Sequence, residues 1–190
     1  MTQQASASAL FDRIREKCQQ QGWFGPELLS PSWSDVADRD LGRQGFVFPP
    51  ATAEQIAETH QRLGFSLPAN LTALYTHIAN GGFGPGAGLR GVVGGYRFHE
   101  QNAVEAYHHR KGAQVVNREG QSVCWPRLLL PICDLGDVNE ACLDGQTGQI
   151  IVVAPTEHEG GVVPLMTLEA PSLEDWLERW LQGEPLKPIR

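Results

Sequence analysis

The sequence predicts an α+β fold with an antiparallel sheet in a single domain. Helical spacing of apolar residues dominates the first half of the chain, strand signals cluster in the second half, and a further helix follows them. The chain has 190 residues, of which 41% are hydrophobic. A globular chain of this length buries roughly 70% of its unfolded surface, which suffices for one core. We therefore expect one domain, 46–190, with residues 1–45 as a helical and irregular extension packed on it.

An amphipathic helix is predicted near the N-terminus. Leu10, Ile14 and Cys18 fall on one helical stripe, and Gly22 is placed to end the helix. The following segment, 23–45, is rich in Pro, Gly and Asp and is predicted to be irregular.

A pair of short helices is the clearest local prediction. Thr52 and Gln55 have the spacing of a capping box at the start of the first helix, and Gly64 is placed as its C-cap. Pro68 suits the first turn of the second helix, and apolar residues at helical spacing follow it. Asn80 and the glycines after it should end that helix.

A glycine-rich loop follows the second helix. It consists of Asn80, Gly81, Gly82, Phe83, Gly84, Pro85 and Gly86. A phosphate-binding loop follows a strand and opens a helix, whereas here a helix comes before the loop and a predicted strand comes after it. The loop is therefore predicted to be a structural motif, in which glycine supplies positive φ for a tight crossing between two elements.

The second half of the chain carries most of the strand signals. A strand is predicted over 89–95 and a helix over 100–111. Three further strands are predicted at 128–134, 138–144 and 149–154, and Asp-Gly and Thr-Gly turn signals join the last two.

A last helix is predicted after these strands. Ser172 can cap it, and Trp176 and Trp180 lie on its apolar stripe together with three leucines. Gly183 is placed just beyond its end.

Charge and hydropathy exclude two classes of partner. Fifteen basic and twenty-two acidic residues give a net charge of -7, which repels nucleic-acid phosphates, so we expect no nucleic-acid binding. No stretch approaches the roughly 20 apolar residues of a membrane span, and no signal-peptide pattern is visible. We therefore expect a cytoplasmic protein without a membrane partner.

No motif for a cofactor, a metal or catalysis is visible. The cysteines form no C-x-x-C pair and are expected to be free thiols; they are Cys18, Cys124, Cys133 and Cys142. His108 and His109 point about 100° apart on a helix and cannot easily share one ion. No H-E-x-x-H or Gly-x-Ser-x-Gly pattern occurs. An enzyme that used Cys124, Cys133 or His108 remains as the least favoured alternative.

The run from residue 51 to 88 resembles a known family. Its motifs, in order, are Leu63-Gly64-Phe65, Leu67-Pro68, Leu74-Tyr75 and Asn80-Gly81-Gly82-Phe83-Gly84-Pro85-Gly86. This order is similar to that of the SUKH superfamily, the Smi/Knr group of cell-wall regulators and bacterial immunity proteins. Later features that agree are Leu130-Pro131-Ile132-Cys133-Asp134, Asp144-Gly145, Trp176 and Trp180. Similar sequences often have Asp, an aromatic residue and Gly where this chain has Asp134-Leu135-Gly136.

The resemblance covers roughly residues 46 to 183 and implies a twisted antiparallel sheet with helices packed on it and no known catalytic centre. Many bacterial relatives neutralise a cognate toxin, and others have housekeeping or scaffolding roles. The resemblance therefore implies a non-catalytic protein that binds another protein, either as an immunity protein or as a housekeeping scaffold. For the scaffold alternative we take residues 1–44, which lie outside the resemblance, as the docking element.

The candidate binding residues follow from charge and from residue type. An acidic patch would speed encounter with a basic partner such as a toxin domain. The acidic candidates are Asp137, Glu140, Glu157 and Glu159. Trp125 is a further candidate, because tryptophan is enriched in binding hot spots, although burial in the core is its more usual role.

Overall fold

Helices and strands occupy largely separate parts of the chain, so the predicted α+β class is confirmed. The computed structural model describes residues 2–21, 48–158 and 161–184. Its helices are α1 (Thr2–Gln21), α2 (Ala53–Leu63), α3 (Ala69–His77), α4 (Ala103–Arg110) and α5 (Leu173–Leu181). Its strands are β1 (Gln114–Val116), β2 (Ser122–Cys124), β3 (Leu129–Gly136), β4 (Asn139–Asp144), β5 (Ile150–His158) and β6 (Gly161–Ala170).

All six strands belong to one sheet in the order β2-β1-β6-β5-β4-β3. Four of the five strand pairs are antiparallel. The exception is β1, which runs parallel to β6 and meets it where Val116 lies opposite Leu165. The mainly antiparallel sheet predicted above is therefore confirmed.

Two helices, α2 and α4, begin directly after N-cap residues that form capping boxes. The Thr52 side chain accepts a hydrogen bond from Gln55 N at 3.3 Å, and Gln55 Oε1 accepts one from Thr52 N at 2.8 Å. Gly64 ends α2 with φ of 77°. Asn102 and Glu105 form a second capping box. It sets the start of α4 later than the predicted residue 100, because a cap residue itself lies outside the helix.

The prediction of a strand over 89–95 is wrong. Leu89 forms an isolated bridge with Cys133, and the segment then continues as turns. The Asn80 side chain takes the place of a neighbouring strand, because its Oδ1 accepts a hydrogen bond from Val92 N at 2.8 Å and its Nδ2 donates to Val93 O at 3.1 Å.

The glycine-rich loop is buried against strand β3. Every residue from 78 to 92 is buried. Ala87 N donates to Asp134 O at 2.9 Å, and Arg90 N donates to Ile132 O at 2.7 Å, so the segment covers the outer edge of β3. Gly81 has φ of 84°, and a Cβ there would lie 2.4 Å from Gly91 N. The chain crosses itself here at a distance that only glycine allows.

Strands β1, β2 and β6 were not predicted, and β5 extends four residues beyond the predicted end. β6 contains Pro164, which weakens a strand signal, and the other two strands have three residues each. β4 pairs with β5 only at residues 150–153. Residues 154–158 and 161–165 therefore continue past β4 as a two-stranded extension, here called the arm, in which Pro155 lies opposite Pro164.

Helix α1 packs on the rest of the domain through the predicted stripe. Leu10, Ile14 and Cys18 are buried in the main core, and Lys17 Nζ donates to Trp180 O at 2.6 Å on α5. The predicted irregular segment 23–45 lies outside the described residues. In the described ranges no helix is long and apolar enough to span a bilayer.

Candidate functional site

A small groove of about 240 Å³ opens at the base of the arm. It is lined by Arg110, Ala113, Val115, Trp125, Val138, Val153, Ala154, Pro155, Val162, Val163 and Pro164. Sites for cofactors and drug-sized ligands usually enclose about 300–1,000 Å³. The groove is smaller than that and its lining is largely apolar, so it suits one or two side chains of another protein.

Two valines form exposed lips of this groove. Val138 is 75% exposed and Val162 is 69% exposed. They are the only large hydrophobic residues that are exposed within the described part of the chain, and both line the groove. Apolar side chains concentrated around one surface depression are typical of an interaction site.

The backbone at Val138 is strained. Asp137 and Val138 link β3 to β4 with φ of 49° and 58°. A two-residue hairpin turn with positive φ at both positions favours Asn-Gly or Asp-Gly. A β-branched residue in this conformation costs on the order of 1–3 kcal/mol, and strain of this kind concentrates at functional sites. The turn thus holds an apolar side chain in solvent at a position that favours glycine.

A buried ion-pair network lies next to the groove. Glu140 is 5% exposed. Its Oε1 accepts a hydrogen bond from Arg90 Nη2 at 3.3 Å, and its Oε2 accepts one from Arg110 Nε at 3.0 Å. Glu140, which is named above as a candidate for an acidic patch, is therefore not exposed to a partner. Glu140 lies within β4, opposite Asp134 and Val153, and the two arginines balance its charge where water is excluded.

Arg90 also holds a second strained turn. Its Nη1 donates to Phe98 O at 2.9 Å and to Gln101 O at 3.1 Å. These carbonyls flank His99 and Glu100, which have φ of 48° and 61°. Arg90 is 3% exposed. Its buried guanidinium therefore connects the turn at His99 and Glu100 to Glu140 on β4.

The remaining predicted binding residues lie at different depths around the groove. Asp137 is exposed beside Val138, and Glu157 is exposed on the arm opposite Val162. Trp125 is 6% exposed and lines the groove, and its Nε1 donates to Leu129 O at 2.8 Å. Glu159 lies outside the described residues. A role of Asp137, Glu157 or Trp125 in binding stays a prediction.

Sequence reasoning did not single out Val138, Val162 or Arg110 as binding residues. One local signal could have drawn attention to Val138, because it directly follows Asp137 at the junction of two predicted strands, where a tight turn usually places glycine after Asp. Arg110 and Val162 are brought to the groove by the packing of α4 and by the pairing of the arm, which local patterns do not show.

The thiols are largely withdrawn from solvent. All four cysteines are free; Cys18, Cys133 and Cys142 are buried, and Cys124 is exposed. Burial raises the pKa of Cys18 to about 12 and raises the pKa of Cys133 and of Cys142 above its usual value. Cys133 lies opposite Ala141 in the β3–β4 hairpin, so Cys133 and Cys142 are not directly opposite each other in these two strands. Among the described residues no group of three potential metal ligands is found.

Native thiol labelling should report this arrangement. We expect one of the four cysteines, Cys124, to react quickly with a thiol reagent in the folded protein, and all four to react in denaturant. Cys124→Ser should abolish the fast phase. Rapid labelling of Cys133 in the folded Cys124→Ser protein would contradict this burial and would revive the enzyme alternative.

Comparison with protein families gives a match that includes the whole groove. A family model described as SMI1 / KNR4 family (SUKH-1) matches residues 50–179, which is well over half of the chain. No significant match was found among curated proteins. The matched range contains every residue that lines the groove, and it confirms the resemblance drawn from the sequence motifs.

Proposed function

Because the chain belongs to the SMI1 / KNR4 family (SUKH-1), we propose that it is a non-catalytic domain that binds and neutralises a cognate toxin protein. The observation that carries the binding proposal is the groove with its two exposed valine lips. An exposed valine gains free energy when a partner covers it, and a groove of this size can receive an anchoring side chain.

The charge around the groove supports a basic partner. Asp137 and Glu157 are exposed next to the two lips, and the chain has a net charge of -7. Such a field speeds the encounter with a positively charged protein and fixes its orientation. A toxin domain that acts on nucleic acid would carry a basic surface of this kind. The four free thiols fit a reducing compartment such as the cytoplasm.

The test compares wild-type protein with Val138→Asn as tagged baits in the native host. Asparagine adopts the left-handed conformation readily, whereas other residues pay roughly 1–2 kcal/mol for it. We expect Val138→Asn to raise the free energy of unfolding by about 1 kcal/mol in urea titrations and yet to weaken partner binding about tenfold, a loss of about 1.4 kcal/mol. A variant that is more stable and yet binds more weakly would show that the Val138 side chain serves binding and not stability.

The captured protein is then expressed alone and together with each variant. Growth arrest by the captured protein alone, relieved by the wild type and less by Val138→Asn, is the result expected of an immunity protein. Gln146→Asn, in the exposed β4–β5 turn away from the groove, is the matched control and should behave as wild type. A captured protein that is harmless alone would favour a housekeeping scaffold, and equal capture by Val138→Asn would remove the groove from the binding surface.

A further inference from the structure

Arg110 is the single charged side chain among the described residues that line the groove. It lies in the last turn of α4, and its side chain is 41% exposed. The other lining residues are alanine, valine, proline and tryptophan. A partner segment that covers the groove would therefore enclose one positive charge among apolar groups.

The guanidinium of Arg110 is held in place by one edge only. Its hydrogen bond and its ion pair to described residues both use Nε, which lies 3.0 Å from Glu140 Oε2. Glu140 is itself fixed by the buried Arg90. An arginine has five N–H donors, so this contact leaves the four donors on its terminal nitrogens for another acceptor.

We infer that the groove receives the carboxylate of an Asp or Glu side chain from an apolar segment of the partner protein, with Arg110 as its anchor. This inference rests on the proposed protein-binding function. The fork of terminal N–H groups matches the two oxygens of a carboxylate, and the bond is strengthened when the partner excludes water. The fixed Nε reduces the conformational entropy that Arg110 loses when the ligand binds.

The surroundings select a singly charged group. Asp137 and Glu157 lie beside the lips and would oppose a phosphate dianion more strongly than a carboxylate. The same two residues suit basic side chains placed on either side of the anchor. The structure thus assigns to the partner a pattern in which an acidic residue sits between apolar neighbours and basic residues flank them.

The inference is tested with two capped tripeptides as probes, acetyl-Leu-Glu-Val-amide and acetyl-Leu-Gln-Val-amide, which differ only in the charge of the central side chain. Each is titrated into ¹⁵N-labelled protein while the Arg110 Nε–H signal and the Val138 and Val162 amide signals are followed by NMR. We expect the Glu peptide to move all three signals and to bind at least tenfold more tightly than the Gln peptide.

Two variants connect this preference to the anchor. Arg110→Gln should remove the preference for the Glu peptide, and Arg118→Gln should keep it, because Arg118 lies in the exposed β1–β2 turn and does not line the groove. Arg110→Lys keeps the charge without the fork and should keep a reduced preference. The amide spectrum of each variant shows whether the fold is intact, since Arg90 continues to hold Glu140 when Arg110 is changed.

Equal binding of the two peptides would overturn the inference, as would groove signals that do not move with the Glu peptide. A preference that survives in Arg110→Gln would also overturn it. None of these results would decide whether the protein captured in the host is a toxin, so the two proposals fail separately.

Discussion

Replacing Glu140 with alanine is expected to lower the free energy of unfolding by about 3–5 kcal/mol, the usual cost of removing one partner from a buried ion pair. Arg90 is 3% exposed and would keep its charge after its closest carboxylate partner is lost. Asp134 lies 3.9 Å from Arg90 Nη2 and compensates only in part. The change in the free energy of unfolding is measured by urea denaturation.

Glu157→Ala is the matched control for this substitution. It removes the same group from an exposed position of the arm, so the free energy of unfolding should change by no more than about 0.5 kcal/mol. Glu140→Gln keeps the volume and one acceptor and should cost about 1.5–3 kcal/mol. If Glu140→Ala and Glu157→Ala were equally mild, the buried network would not contribute to stability.

Replacing Gly81 with alanine is expected to lower the free energy of unfolding by about 3 kcal/mol or more. The left-handed conformation costs alanine roughly 1–2 kcal/mol, and a displaced core costs about 1–3 kcal/mol in addition. The new Cβ would lie 2.4 Å from Gly91 N and 2.7 Å from Leu89 O. Because both are backbone atoms, no change of side-chain rotamer can relieve the contact.

Gly64→Ala separates the two contributions in the same denaturation experiment. Gly64 has φ of 77°, close to the 84° of Gly81, but a Cβ there would meet nothing within 4 Å. Its replacement should therefore cost only the conformational part, roughly 1–2 kcal/mol. Equal losses at the two positions would show that the close crossing at Gly81 relaxes without cost.

The paired helices could be predicted from the sequence because their signals are local. The capping box of Thr52 and Gln55 spans four residues, and each of its hydrogen bonds forms within that span. The segment 89–95 was wrongly predicted, since its apolar residues suggest a buried strand, whereas the Asn80 side chain forms two of the hydrogen bonds of its backbone. Pro164 weakened the strand signal of β6, although a proline is tolerated where one edge of a strand has no neighbouring strand.

The candidate site could be predicted only in part. Asp137, Glu140 and Glu157 are equivalent in the sequence as acidic residues of a strand-rich region. The structure separates them, because Glu140 meets Arg90, which lies 50 positions away in the chain. The pairing of the two arm strands and the position of Arg110 beside the groove likewise depend on contacts between separate elements. The spacing of apolar residues along the sequence does not reveal such contacts.

The two facing prolines of the arm have a consequence for self-association. In an antiparallel ladder, the two residues of a hydrogen-bonded pair donate their N–H groups to each other. Proline has no N–H, so Pro155 and Pro164 form a non-hydrogen-bonded pair. In such a pair the backbone nitrogens face the two outer edges of the arm. β4 pairs with β5 only as far as Val153, and β1 meets β6 at Leu165, so both outer edges of the arm pass beyond their neighbouring strands here. A second molecule that approached either edge as an added strand would find no donor at this level. The arm can therefore display Val162 to solvent and still resist edge-to-edge polymerisation.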